Sequence, residues 1–350
     1  MSQRLTIALD AMGGDNAPEI VIDGAVRARE RFPNVQFLLF GDQARIDPLL
    51  VPHAKLREVV TIRHTEEYVS SEEKPSVALR QGRQSSMQLA INAVKEGEAA
   101  GVVSAGNTGA LMAMSKITLK MLPGIARPAI AALLPTRLGE SVMLDLGANV
   151  ECDADNLVQF GMLGAAYART VLGRERPTVG LLNVGAEEIK GGEHVQQAAA
   201  LFRGATLPFD FHGFVEGDDL GAGTVDVFVA DGFTGNVALK AVEGTVSLYT
   251  EYLRQSFRSS ILSRLAYILA KPGFNKMRAR IDPRRYNGAT FLGLNGIVVK
   301  SHGGTDGFGF ANAIGVAVDM VANEINEFIM LELSEYGEQR PSASKAAVTG

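Results

Sequence analysis

Residues 225–240 read VDVFVADGFTGNVALK. A run of Val and Phe suits a buried, pleated surface. Gly-Phe-Thr-Gly-Asn then interrupts it, and Val-Ala-Leu-Lys resumes at helical spacing. This is a strand, a glycine loop and a helix, and the same unit recurs along the chain. TIAL at 6–9 passes through DAMGGDNAP into a helix over 19–31, with Pro18 in its first turn and Asp15 or Asn16 as its cap. Strands at 35–41 and 59–64 precede a helix over 75–95, and GVV at 101–103 enters SAGNTG and a helix over 110–121. Strands at 129–134 and 141–146 lead to a helix over 155–172. Strand 178–185 leads to a helix over 193–202, and strand 297–300 to a long helix over 309–333. Such alternation predicts an α/β fold with a largely parallel sheet covered by helices. Right-handed crossovers then place the strand ends and their glycine loops along one edge, where open α/β sheets bind ligands.

The chain has 350 residues, 46% of them hydrophobic, enough for one large or two ordinary domains. No linker rich in Pro, Gly or Ser divides it. The expected organisation is one domain over 1–334 with a helical excursion inserted at 250–288. The stretch 335–350 lacks apolar periodicity and is expected to be a disordered tail. A net charge of −5 argues against a nucleic-acid partner. Cys152 is the single cysteine, so no intramolecular disulfide forms and a reducing cytoplasm is the expected location. The apolar run at 5–9 is too short for a signal-peptide core, and no run of 18 apolar residues spans a membrane.

SAGNTGALM at 104–112 and ADGFTGNVA at 230–238 share Gly-x-Thr-Gly between strand and helix. Glycines let backbone amides approach an anion, threonine adds a donor, and the helix N-terminus adds positive potential. The plainer alternative is a tight turn and nothing more. MGGD and LGANV beside these loops favour the anion reading. Neither loop is followed by Gly-Lys-Ser/Thr, and G-x-G-x-x-G follows no strand, so a nicotinamide cofactor is unsupported. In GLLNVGAEEIKGGE at 180–193, Lys190 sits in a glycine-flanked strand-end loop, either as a point charge for phosphate or as a solvated surface lysine. His302, after strand 297–300, suits a site or a structural hydrogen bond equally. Cys152 lacks a basic partner in sequence, which favours an inert thiol. Asp145, Asp153 and Asp155 suit Mg²⁺ or, for the latter two, helix capping.

Residues 253–285 carry nine Lys/Arg against one acid, Asp282. Within them, 254–271 has an amphipathic helical pattern. Phe257, Ile261, Leu265 and Ile268, widened by Leu262 and Leu269, form an apolar stripe flanked by Arg254, Arg258, Arg264 and Lys271. A dimer helix explains the stripe. The excess of positive charge suits an anionic membrane surface or an acidic protein partner.

DAMGGDNAP at 10–18, SAGNTGA at 104–110, LDLGANV at 144–150, GLLNVGAEEIKG at 180–191, ADGFTGNVALK at 230–240 and YNGATFLGLNGIVVKSHG at 286–303 together resemble the PlsX family of phosphate acyltransferases. The likeness runs from about Leu5 to Leu333. It implies a three-layer α/β/α fold, isocitrate/isopropylmalate-dehydrogenase-like, with a projecting amphipathic helical hairpin, and a homodimer peripherally bound to the inner face of the membrane. It also implies reversible transfer of a long-chain fatty acyl group from acyl carrier protein to inorganic phosphate. The acyl phosphate is then used by a downstream glycerol-3-phosphate acyltransferase in fatty acid and phospholipid metabolism. The resemblance carries catalytic roles to Lys190 and Asn236. Phosphate and substrate contacts are expected from Gly13, Gly14, Asp15, Ser104, Asn107, Thr108, Gly109, Asn149, Asp231, Thr234, Gly235 and His302, and neither a cofactor nor a metal is expected.

The chemistry needs little more. Phosphate dianion is a competent nucleophile near neutral pH, and a thiolate is a tolerable leaving group. Positioning and donors for the developing oxyanion suffice. Two other readings stand beside this one. One is another enzyme of this scaffold, a phosphotransacetylase acting on acyl-CoA or a metal- and NAD-dependent decarboxylating dehydrogenase. The other is a non-catalytic membrane scaffold for lipid-synthesis enzymes.

Overall fold

In the computed structural model of the chain, which describes residues 5–339, eleven strands form one continuous sheet among the described residues. One end is a parallel block in the order β3 (Val60–His64), β2 (Gln36–Gly41), β1 (Thr6–Asp10), β4 (Gly101–Ser104) and β11 (Ile297–Lys300). The other end is β6 (Gly139–Leu144), β9 (Val227–Val229), β7 (Thr178–Leu182) and β8 (Asp210–Val215), again mutually parallel. Between them, β10 (Ala289–Leu292) is antiparallel to β11 and to β5 (Ala129–Thr136), and β5 is antiparallel to β6.

Three antiparallel joins in a row leave the two blocks with opposite polarity. The C-terminal ends of β1, β4 and β11 lie on one edge, and those of β6, β9 and β7 on the other. This corrects the expectation that all the glycine loops share an edge. The physical reason lies in the β5–β6 connection, which is only residues 137 and 138. A link so short joins antiparallel strands; a parallel crossover needs about a dozen residues.

The helices are α1 (Glu19–Arg31), α2 (Gln43–Leu50), α3 (Ala54–Arg57), α4 (Pro75–Gln81), α5 (Ser86–Lys95), α6 (Thr108–Leu119) and α7 (Ala154–Leu172). They continue with α8 (Glu193–Gly204), α9 (Asp219–Ala222), α10 (Gly232–Arg258), α11 (Ile261–Ile281), α12 (Gly307–Ala322) and α13 (Ile325–Gln339). The span of α1 matches the sequence expectation, but its cap does not: Pro18 is the N-cap and no side chain caps it. The expected helix over 75–95 breaks at Gly82, and Ser85 restarts it by accepting the Gln88 amide. The helix expected over 309–333 divides at Asn323 and Glu324, the latter at φ +50°. α13 continues to Gln339, past the expected boundary at 334. Residues 340–350 of the expected tail lie outside the described residues.

α1, α7 and α12 pack on one face of the sheet, where Phe37, Phe160, Tyr167 and Phe310 are fully buried. α5 and α6 cover the other face around Met87, Leu111 and Phe291. In α7, Gly164 admits the sheet closely: a methyl there would lie 2.5 Å from Val227 and 2.8 Å from Leu144. α10 buries only Gly232 and Gly235, and α11 buries nothing. The two contact each other through Phe257, Tyr267 and Phe274, with ring centroids 5.0–5.7 Å apart. No helix among the described residues is long and apolar enough to cross a membrane.

Gly164→Ala should overpack the α7–sheet contact and lower stability by about 1–3 kcal/mol. A thermal midpoint equal to that of the unmodified chain would contradict this packing.

Candidate active site

Asp145 organises the edge formed by β6, β9 and β7. It follows β6 directly and is fully buried. One carboxylate oxygen accepts the amides of Ile130 (2.9 Å), Ala148 (2.9 Å) and Gly147 (3.2 Å). The other accepts the Asn149 amide (2.7 Å) and Asn149 Nδ2 (2.9 Å). Burial pushes the Asp145 carboxyl above its ordinary range, and these donors pull it back. The loop at 145–149 is thus wound around one carboxylate.

The start of α10 docks onto that loop. Gly232 N donates to Asn149 O (2.7 Å), and Asp231 caps the helix by accepting Thr234 N and Thr234 Oγ1, both at 2.8 Å. A side chain at Gly235 would collide with the Asp145 carbonyl, so glycine there is a steric requirement. Asn236 comes next, exposed in the first turn of α10 and beside Gly147. β7 is the neighbour of β9, so the loop carrying Lys190 adjoins on the same edge. That loop is clipped by Asn183 Nδ2, which donates to Gly185 O and Lys190 O at 3.1 Å. Lys190 Nζ lies 2.9 Å from Glu187 Oε1, with both side chains open to solvent. Glu187 raises the lysine further above its usual range, so Lys190 is a cation.

The structure therefore brings Lys190, Asn236, Asn149, Asp231, Thr234 and Gly235 to one edge. It also separates their duties. The Asn149 amide is spent on Asp145 and on Pro128 O (2.7 Å), and the Asp231 carboxylate on its cap. Asn236 is exposed, and Lys190 is engaged by Glu187 in a pair that is itself open to solvent.

The remaining expected residues lie on the opposite edge, at the ends of β1, β4 and β11. Asp10, 1% exposed, accepts Ser86 Oγ and Ser104 Oγ at 2.6 Å each and Met12 N at 3.3 Å. Burial pushes this carboxyl up, with the hydroxyls opposing. A Cβ on Gly13 would meet Gly106 N at 2.7 Å, and one on Gly14 would meet Gly303 O at 3.2 Å, so three loops touch here. Asp15 N donates to Gly303 O (3.0 Å). Ser104 is fully buried in the service of Asp10. Asn107 caps α6 through Ala110 N (3.0 Å) while its Nδ2 holds Ser71 O and Glu73 O at 2.9 Å. Thr108 and Gly109 are exposed in the first turn of α6. His302 Nδ1 accepts Gly304 N (3.1 Å), and its backbone amide donates to Asn287 Oδ1 (2.8 Å).

Sequence reasoning passed over Asp10, Ser86, Asn287 and Lys300. The one local signal was a lysine closing the apolar strand IVVK. Lys300 is 9% exposed, and its Nζ donates to Ala105 O (3.3 Å) and to Ser301 O. Cys152 is the opposite case. Burial and the nearby Asp145 push its thiol up to about 12, so it is protonated at neutral pH and no nucleophile. Asp153 caps α7 by accepting Asn156 N (2.8 Å). The single helix expected over 254–271 breaks at Ser259 and Ser260, where Ser260 caps α11 by accepting Ser263 N (3.0 Å). Ile261, Leu262, Leu265, Ile268 and Leu269 are therefore exposed along α11, whereas Phe257, in α10, turns inward onto Tyr267.

A family described as Fatty acid synthesis protein matches residues 5–328 of the chain. A phosphate acyltransferase from Rhodospirillum centenum is 63% identical over 334 residues, 95% of this chain and 94% of the relative. One from Paramagnetospirillum magneticum is 58% identical over 347 residues, 99% of each. Among solved structures, the EutD phosphotransacetylase from Staphylococcus aureus superposes with a TM-score of 0.61 at 16% identity, over 91% of this chain and 95% of that one. A likeness at that identity is one of fold alone.

Gly235→Ala should force α10 off the 145–149 loop, lowering stability by about 1–3 kcal/mol and activity with it. Gly204→Ala is the control, because nothing lies within 4 Å of a Cβ there. Equal thermal midpoints for the two variants would refute the close docking.

Proposed function

Because this chain belongs to the fatty acid synthesis protein family and is an acyltransferase, we propose that it moves a fatty acyl group from a thioester to inorganic phosphate. The donor in this reading is a long-chain acyl group on acyl carrier protein. The acyl phosphate goes on to a glycerol-3-phosphate acyltransferase for phosphatidic acid synthesis. The observation that carries the reading is the pairing of an exposed amide, Asn236, with an exposed cation, Lys190, on an edge whose one thiol is protonated. Such an edge supplies a donor and a charge but no nucleophile of its own, which suits a substrate that is itself the nucleophile.

A phosphate oxygen attacks the thioester carbonyl, forming the C–O bond. The carbonyl oxygen takes up negative charge, and the Asn236 amide donates to it. Lys190 exchanges Glu187 for phosphate, an easy exchange since that pair is solvent-screened. Collapse of the intermediate breaks the C–S bond, and the carrier thiolate leaves, taking a proton from solvent. The opposite edge, with Gly13, Gly14, Asp15, Thr108, Gly109 and His302, belongs to the same proposal as the surface for an anionic portion of the substrates. Ser104, Asn107 and Asn149 then act by building their loops.

The α10–α11 pair is read as a helical hairpin inserted in a single domain, on a dehydrogenase-like three-layer scaffold. A groove of about 1430 Å³ runs between the two helices, with Arg258, Arg264 and Arg278 among its lining residues. That charge, and the exposed Ile261, Leu262, Leu265 and Leu269, support docking of the acidic carrier protein and of an anionic membrane surface. Val242, Val246 and Tyr249, exposed along α10, support a homodimer. The proposed location is the cytoplasm, at the inner face of the membrane. An acyl-CoA phosphotransacetylase is the second reading, because phosphate attack on a CoA thioester needs the same charge and donor.

The test is release of carrier thiol from a long-chain acyl carrier protein, which should require phosphate. Turnover of acyl-CoA alone would move the assignment to the second reading. Lys190→Ala should lower kcat/KM for phosphate about 100-fold, and Asn236→Ala should lower kcat about 100-fold or more, both with unchanged thermal midpoints. Full turnover by either variant would remove that residue from the mechanism. Ile261→Glu with Leu265→Glu should abolish sedimentation with anionic vesicles; retained binding would refute the membrane role.

A further inference from the structure

Lys300 has no part in the transfer chemistry, yet it is a cationic residue placed where a lysine is expensive. It closes β11 in register with Ser104 at the close of β4, with only 9% of its surface exposed. An ammonium has three donors. Two of them reach the carbonyls of Ala105 and Ser301, so the charge is held by backbone dipoles rather than by a paired carboxylate. A methionine would fill the same space without the desolvation penalty. Packing alone therefore does not explain the residue.

Its surroundings suggest what does. Ala105 lies between Ser104 and Gly106, and Gly106 N donates back to Ser104 Oγ (3.0 Å). Ser301 N donates to Ser104 O (2.9 Å), and Ser301 Oγ accepts Asn287 Nδ2 (2.8 Å). Both carbonyls are thus turned inward toward one ammonium, at the root of the loops that end in the exposed turn of α6 and in Gly303 and Gly304. We propose that Lys300 is a positioning residue that holds these two loops in their anion-binding arrangement and sets the affinity of this edge for an anionic portion of the acyl donor. The inference rests on the reading that this edge binds an anionic portion of the substrates.

The groups facing Lys300 are Asp10 at the end of β1 and Asp15 in the loop that follows, with His302 two residues along its own loop. The two carboxylates favour the ammonium, but burial outweighs them and pushes the lysine down to about 8. Raising the pH through that value removes the charge beneath the loops. Affinity for the acyl donor is then lost at alkaline pH while the transfer chemistry on the other edge is spared.

The experiment is steady-state kinetics with varied long-chain acyl carrier protein at saturating phosphate, from about pH 6 to pH 10, on the full chain and on Lys300→Arg and Lys300→Met. The unmodified chain should show KM for the acyl carrier protein thioester climbing about tenfold above its break near pH 8, with kcat little changed. Lys300→Arg keeps a charge throughout and should lose that climb. Lys300→Met should show a KM raised about tenfold already at neutral pH, with no break. A Lys300→Met profile identical to the parent's would overturn the proposal. Should Lys300→Met fail to fold, a break near pH 8 persisting in Lys300→Arg would overturn it alone. Absence of phosphate-dependent turnover in the unmodified chain would instead sink the proposed function.

Discussion

Two buried carboxylates at strand ends hold the loops on which both edges of this sheet are built. Asp145, beyond β6, gathers three amides of its own loop, the Ile130 amide and the Asn149 side chain. Asp10, closing β1, gathers the hydroxyls of Ser86 and Ser104. Each would be costly if left unpaired in so dry a place, and each is affordable only because backbone and hydroxyl donors surround it. The glycines follow from this. Loops that wind around one carboxylate touch each other, and Gly13, Gly14 and Gly235 stand at the points of contact.

The polarity of the sheet then decides which residues work together. With three consecutive antiparallel joins, a strand–loop–helix unit in the first block presents its helix N-terminus to one edge, and a unit in the second block to the other. The two Gly-x-Thr-Gly loops look alike in sequence and share their local physics, yet they serve separate surfaces. On the β9 side, Asn236 follows the glycine that docks onto the Asp145 loop, so the amide is presented from a rigid base. On the β4 side, Asn107 is consumed in capping α6 and pinning 71–73, and Thr108 and Gly109 stay exposed.

Features governed by neighbours in the chain were legible in the sequence. The span of α1, the Asp153 cap of α7 and the strand ending at Val229 are of this kind, as is the loop bearing Lys190; the expected loop at 232–236 is instead the first turn of α10. Features governed by closeness in space were not. Ser86, Ser104 and Lys300 gain their roles from partners 76, 94 and 195 residues away. β10, four residues long, and β8, which contains Gly213, gave little periodicity to read. The residue types at 149 and 231 suggested ligand contacts, but the structure turns those side chains to the loops themselves. Nothing local distinguishes an amide left open to solvent, as at 236, from one that builds its own loop, as at 149.

The central claim is that phosphate itself attacks the thioester, the edge supplying only charge and a donor. Incubation with a long-chain acyl carrier protein thioester and phosphate fully labelled with heavy oxygen tests it most directly. Mass analysis of the product should show acyl phosphate retaining every labelled oxygen, with free carrier thiol in equal amount. Free fatty acid formed alongside intact labelled phosphate would mean that water attacks instead, and the account would be wrong.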